Sequence, residues 1–197
     1  MKKIDFTSLA VTFTEWFSGI AILNLSWLLF SLPIVTLIPA TDAVFEVVNE
    51  WKEDKKPESI FKQFKYYFRE NFKQSFKLGL PIFIVVMIVI ADLYFLSSLS
   101  LTVTWFQIFK YAFYTLMVLI FLTILYAYPL AKRTGLRSFR IFLMGLMLMV
   151  GNPKVTISLL IMLIAFVLFF SWFPAMLFFL PMSGLAWLGA TALENVT

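Results

Sequence analysis

From Val155 to Leu193 the chain carries no charged side chain for 39 residues. About 20 apolar residues suffice to cross a hydrocarbon core roughly 30 Å thick, so this run alone has room for two crossings. Ser171-Trp172-Phe173-Pro174 divides it near the middle, and proline is well placed to open a second helix there. Three further apolar stretches stand apart: Trp16 to about Ile38, Leu78 to about Leu99 with Asp92 as its interruption, and Tyr111 to Ala131 between Lys110 and Lys132–Arg133. Composition agrees, with 61% of 197 residues hydrophobic and 14% charged. A soluble domain has about a quarter charged residues, and it could not keep so much apolar surface from water. The expected fold is all-α: a polytopic membrane helical bundle, one membrane domain over 1–197, with spans at about 16–38, 78–99, 111–131, 154–172 and 174–193.

Amphipathic segments accompany the spans. After Pro39, residues Ala40, Ala43, Val44, Val47, Val48 and Trp51 form one helical stripe, and Asp42, Glu46, Asn49, Glu50 and Glu53 fall on the other faces. Next, Ser59 can cap a helix in which Phe61, Phe64, Phe68, Phe72 and Phe76 share a stripe and Lys62, Lys65, Arg69, Lys73 and Lys77 follow one residue behind each. Phenylalanines on such a helix sink into the acyl boundary while the basic groups reach headgroups. The stretch 139–150 is apolar but short, with Arg137 and Arg140 before it and Gly151-Asn152-Pro153-Lys154 after it. Glycine stops a helix, asparagine caps the next and proline opens it. This segment therefore reads as an interfacial or re-entrant helix, with a short sixth span as the competing reading. Interfacial helices are expected at about 39–53, 59–77 and 136–150 on the cytoplasmic side. The first span is too long for a signal peptide and contains Pro33 and Pro39, so it is read as retained.

Orientation follows from the basic residues. Segments 42–77 and 131–154 hold 13 of the 16 lysines and arginines, and the positive-inside rule places them in the cytoplasm. With five crossings the N-terminus then lies outside and the C-terminus inside a bacterial cell membrane; Lys2 and Lys3 are the dissenting charges.

The absences narrow the chemistry. The chain has no histidine and no cysteine, which removes imidazole and thiol catalysis and the metal sites built on them. It has no Walker-type phosphate loop. No catalytic, cofactor or metal site is expected, and the chain is not read as an enzyme. The net charge of +5 points to anionic lipid headgroups as partners, not nucleic acid, because the basic residues flank apolar spans.

One segment resembles a known family. Asn24-Leu25-Ser26-Trp27-Leu28-Leu29-Phe30-Ser31-Leu32-Pro33-Ile34-Val35-Thr36-Leu37-Ile38-Pro39-Ala40-Thr41 is similar to the opening motif of the YesL-like integral membrane proteins, found mainly in Gram-positive bacteria. Phe68-Arg69-Glu70-Asn71-Phe72-Lys73-Gln74-Ser75, Asp92-Leu93-Tyr94-Phe95-Leu96 and the Gly151-Asn152-Pro153 turn resemble later landmarks. The resemblance implies a chain without established catalytic residues that accompanies carbohydrate-uptake transporters. The permease motif Glu-Ala-Ala…Gly is absent, so an accessory role beside transporter subunits is expected.

Two groups of residues are candidates for a role. Asp92 is the one carboxylate well inside a span, and an ionised carboxylate in lipid must face protein or water. Lys110 and Tyr114 could reach it from the next helix, as a structural tie or as a substrate or proton site. Asn24 could hydrogen-bond across helices or contact a ligand. Lys62, Lys65, Arg69, Lys73, Arg137 and Arg140 form the candidate headgroup or partner surface. Beside the accessory reading stands a small transporter or channel using Asp92 and the broken fifth span, and homo-oligomerisation is left open.

Overall fold

The computed structural model describes residues 6–53, 59–98, 104–135 and 140–196, and every regular element among them is helical. The order is α1 (Phe6–Ser31), α2 (Leu37–Lys52), α3 (Ile60–Ser98), α4 (Thr104–Thr134), α5 (Arg140–Gly151), α6 (Pro153–Trp172) and α7 (Pro181–Glu194), with 3₁₀ turns at Ile34–Thr36 and Pro174–Phe178. Among the described residues three helices have the length and apolarity of membrane spans: Gly79–Ser97 within α3, Gln107–Thr134 within α4, and Pro153–Trp172. These coincide with the spans expected near 78–99, 111–131 and 154–172.

The ends of the chain differ from a simple succession of spans. α1 stops at Ser31, before Pro33, whose extended backbone leads into the 3₁₀ turn. Thr36 closes that turn: its hydroxyl donates to the Phe30 carbonyl at 2.6 Å. Pro39 falls in the first turn of α2, where its missing N–H costs no hydrogen bond. The stretch 174–193 is divided between a 3₁₀ turn and the 14-residue α7. At 1.5 Å per residue α7 is about 21 Å long, less than the hydrocarbon core. Asn152 holds the expected N-cap position of α6, but its side chain donates back to the Leu148 carbonyl at 3.1 Å and makes no capping bond to α6.

Both amphipathic segments of the first half are more enclosed than their patterns suggest. α2 is not a surface helix. Ala40, Ala43, Val44, Val47 and Val48 are essentially inaccessible, as expected for the apolar stripe, but Phe45, Asp42 and Glu46 on its other faces are buried too. Helices α1, α3, α4 and α7 surround it. The segment 59–77 does not end where the apolar span begins, because α3 is one helix of 39 residues. That makes it about 58 Å long, roughly twice the membrane core, so its charged half extends beyond the lipid. The phenylalanine stripe is covered by protein only in part, with Phe61 exposed and Phe68, Phe72 and Phe76 half-buried. Phe64 is fully buried, and Phe30 of α1 packs on Phe61, Phe64 and Phe68 with ring centroids 4.8–6.3 Å apart.

Small residues let the helices approach. A Cβ on Gly189 would lie 2.6 Å from the Leu125 carbonyl oxygen, and one on Gly145 would lie 3.1 Å from that of Thr123. Thus α7 and α5 both pack against the backbone of α4.

Candidate functional site

The acids of α2 occupy one helical stripe, Asp42, Glu46 and Glu50 at i, i+4 and i+8. Burying ionised carboxylates costs several kcal/mol each unless polar partners meet them, and here partners do. Ser75 of α3 donates to Asp42 at 2.5 Å. Lys132 of α4 lies 2.9 Å from Glu46 and 3.6 Å from Glu50. Gln63 and Tyr67 of α3 both donate to Glu50, and the Lys132 ammonium sits over the Tyr67 ring, 5.2 Å from its centroid. Burial raises the Tyr67 phenol above its ordinary value near 10, and the hydrogen bond to Glu50 and the charges of Glu50 and Glu46 push the same way. The phenol therefore stays protonated and donates.

A second polar tie joins the C-termini of α2 and α7. Lys52 reaches Glu194 at 2.7 Å and Thr191 at 2.8 Å, and lies 5.4 Å from the Trp187 ring centroid. Trp16 of α1 completes this corner, with ring centroids 5.2 Å from Trp187 and 6.2 Å from Trp51.

The residues singled out from sequence fall in separate places. Asn24 is fully buried. Its amide donates to the Phe178 carbonyl at 2.9 Å, and its oxygen accepts the N–H of Met182 at 2.8 Å and of Ser183 at 3.4 Å. It therefore caps α7 from α1. Asp92 and Lys110 are half-buried and Tyr114 is exposed; none of the three meets Asn24. Among the described residues no hydrogen bond or ion pair reaches Asp92. On α3, Lys62, Arg69 and Lys73 are exposed and Lys65 half-buried. Lys62, Lys65 and Arg69 line a shallow surface depression with Tyr66 and Glu70. Arg140 is exposed at the start of α5, and Arg137 lies outside the described residues.

Sequence reading missed the Glu46–Glu50–Lys132 seam. The available signal was a stripe of acids on a helix whose remaining positions are almost all apolar, with Gln63 and Tyr67 repeating the i, i+4 spacing on α3. Among the described residues no three carboxylates cluster as a metal site would require.

Residues 20–93 match the family model described as "Protein of unknown function, DUF624". The chain is 24% identical to the "Uncharacterized protein YesL" of Bacillus subtilis (strain 168) over 172 residues, which are 81% of this chain and 80% of that protein. It is also 24% identical to the "Uncharacterized protein YteU" of the same organism over 176 residues, covering 87% and 77%. No solved structure gives a significant match. The resemblance carried by Asn24–Thr41 is borne out, and the matched region contains both Asn24 and the acidic stripe of α2.

Proposed function

Because the chain belongs with the YesL-like DUF624 proteins, we propose that it is a non-enzymatic accessory or assembly component of the cell membrane, a single membrane domain. The observation that carries this reading is the division of charge along α3. Its inner side chains Gln63 and Tyr67 meet the half-buried Glu50 of α2 and Ser75 meets the buried Asp42, whereas Lys62, Arg69 and Lys73 face outward from a helix too long for the membrane alone. Charges held in fixed ties suit a scaffold, and an outward basic face suits a partner or a headgroup layer. Transporter subunits for carbohydrate uptake are the partners the family resemblance implies. Affinity capture from gently solubilised native membranes tests this: transporter subunits should co-purify, and recovery of the chain alone would overturn it.

A second reading, a small transporter or channel, is favoured by two observations. Asp92 lies half-buried in the apolar half of α3, and α6 and α7 are broken apart at Phe173–Leu180. Flux in liposomes that disappears in Asp92→Asn while assembly persists would support it.

The contacts also favour a revised orientation. The five-crossing count puts the N-terminus outside. Trp16, however, packs on Trp51 and Trp187 beside the Lys52–Glu194 pair, at the end that the charge asymmetry assigns to the cytoplasm. α1 and α2 then form a hairpin that returns to its starting face, α3, α4 and α6 are full crossings, and the 3₁₀ turn with α7 brings the chain back to the face where Glu194 meets Lys52. Among the described basic residues Lys110 then lies opposite those of α2, the end of α4, α5 and the charged half of α3.

A further inference from the structure

A groove of about 330 Å³ runs between α3, α4 and α5, lined by Pro81 and Val85, by Leu119 and Ile120, and by Phe142 and Leu146 among others. That volume lies within the range of small-molecule sites. Among the described residues its single polar lining residue is Thr123, whose hydroxyl donates to the Leu119 carbonyl at 2.8 Å within its own helix. The described walls offer a sugar, an amino acid or an ion no further polar side chain, so the occupant is apolar where it touches them.

Two basic residues, each one helical turn from a lining residue, point to the rest of that occupant. Lys77 stands one turn before Pro81 on the same face of α3, two residues ahead of the span that begins at Gly79. Arg140 opens α5 one turn before Leu143, another lining residue. Both are exposed. Val85 lies about 12 Å beyond Lys77 along the helix, so a chain anchored at Lys77 would run down the groove. Asp42, in the small neighbouring cavity, is buried and accepts from Ser75, so its charge is not offered to the mouth.

We infer that this groove is a binding site for one anionic phospholipid: the phosphate lies between Lys77 and Arg140, and an acyl chain fills the slot from Pro81 to Leu146. A zwitterionic lipid offers the same acyl chain, so the groove alone gives no preference. The preference comes from the two basic groups, each of which favours an anionic headgroup by about fivefold. The inference rests on Gly79–Ser97 and Gln107–Thr134 lying in the membrane, and it is independent of which protein partner binds.

Native mass spectrometry of the delipidated chain with equimolar phosphatidylglycerol and phosphatidylcholine tests it. The single-lipid adduct should be phosphatidylglycerol by roughly 25-fold. Lys77→Gln with Arg140→Gln should equalise the two lipids, and Val85→Trp, which fills the slot, should diminish both adducts. Lys62→Gln with Arg69→Gln, on the outward face of α3, should leave the preference intact. Equal binding of the two lipids by the unaltered chain would overturn the site. So would a preference that survives the Lys77 and Arg140 changes or disappears with those at Lys62 and Arg69, or adducts undiminished by Val85→Trp.

Discussion

The side-chain oxygen of Asn24 accepts the backbone N–H of Met182 at 2.8 Å, so a residue of the first helix caps the last. The same amide holds the Phe178 carbonyl at 2.9 Å and binds both sides of the break before α7. Asn24→Ala leaves these backbone groups buried without partners. It should cost about 1–2 kcal/mol, read as a fall of several degrees in the unfolding temperature of the detergent-solubilised chain. An unchanged midpoint would mean that water replaces the amide at no cost.

Lys132 is the shared cation for Glu46 and Glu50. Lys132→Met therefore leaves two close carboxylates, one of them deeply buried, and should destabilise by about 3 kcal/mol. Adding Glu46→Gln removes one of the stranded charges, so the double variant should recover part of the loss. Thermal unfolding of both variants checks the ordering; a double variant less stable than Lys132→Met would contradict the proposed charge balance.

At Gly189 the constraint is backbone against backbone. Its absent Cβ would lie 2.6 Å from the Leu125 carbonyl oxygen and 3.2 Å from the Phe45 ring, so Gly189→Ala must push α7 away from α4, at about 1–3 kcal/mol. A Cβ on Gly151 would meet nothing within 4 Å, and Gly151→Ala should be nearly neutral. Parallel expression yields and unfolding temperatures compare the two.

The parts that lipid dictates were legible in the residues. A span must be uniformly apolar with its backbone bonded internally, so 78–99, 111–131 and 154–172 announced themselves, as did the break at Ser171–Pro174. The continuity of α3 did not. The change from Lys77 to apolar residues looks like a boundary in chemistry, yet neither Leu78 nor Gly79 ends the helix, and it runs on through Pro81. Periodicity placed Asp42, Glu46 and Glu50 off the apolar stripe, but it could not say what covers them. The cover comes from Ser75, Gln63, Tyr67 and Lys132 on two other helices. Asn24 was legible as an interhelical hydrogen-bonding group; that its partner is the backbone opening α7 depends on tertiary packing.

Tyr67 supplies a pH test. Burial first, then Glu50 and Glu46, hold its phenol above the ordinary value near 10. The folded state thus binds this proton more tightly than the unfolded state. That contribution is complete below about pH 10 and is lost as pH rises toward the folded value. Tyr67→Phe should cost about 1 kcal/mol at neutral pH through the missing hydrogen bond and should show a shallower loss of stability above pH 10. Lysines titrate in the same range, so the comparison is the difference in slope between the two proteins; identical slopes would remove Tyr67 from the account.

The packing of Trp16 against Trp51 and Trp187 makes the orientation measurable. The chain has no cysteine, so single-cysteine variants report on one position each. Glu53→Cys lies just past α2, beside Lys52 and its partner Glu194, and Gln107→Cys is exposed at the far end of the α4 span. In intact cells a membrane-impermeant maleimide should label Gln107→Cys and leave Glu53→Cys unlabelled. Glu15→Cys, exposed beside Trp16, should behave like Glu53→Cys, because α1 runs from the face where α2 ends, and permeabilisation should expose all three. Labelling of Glu15→Cys in intact cells with Glu53→Cys still protected would restore an external N-terminus and an odd number of crossings. The tryptophan corner would then need α1 to enter it from the opposite face, which the direction of α1 from Trp16 toward Asn24 and the start of α7 does not permit.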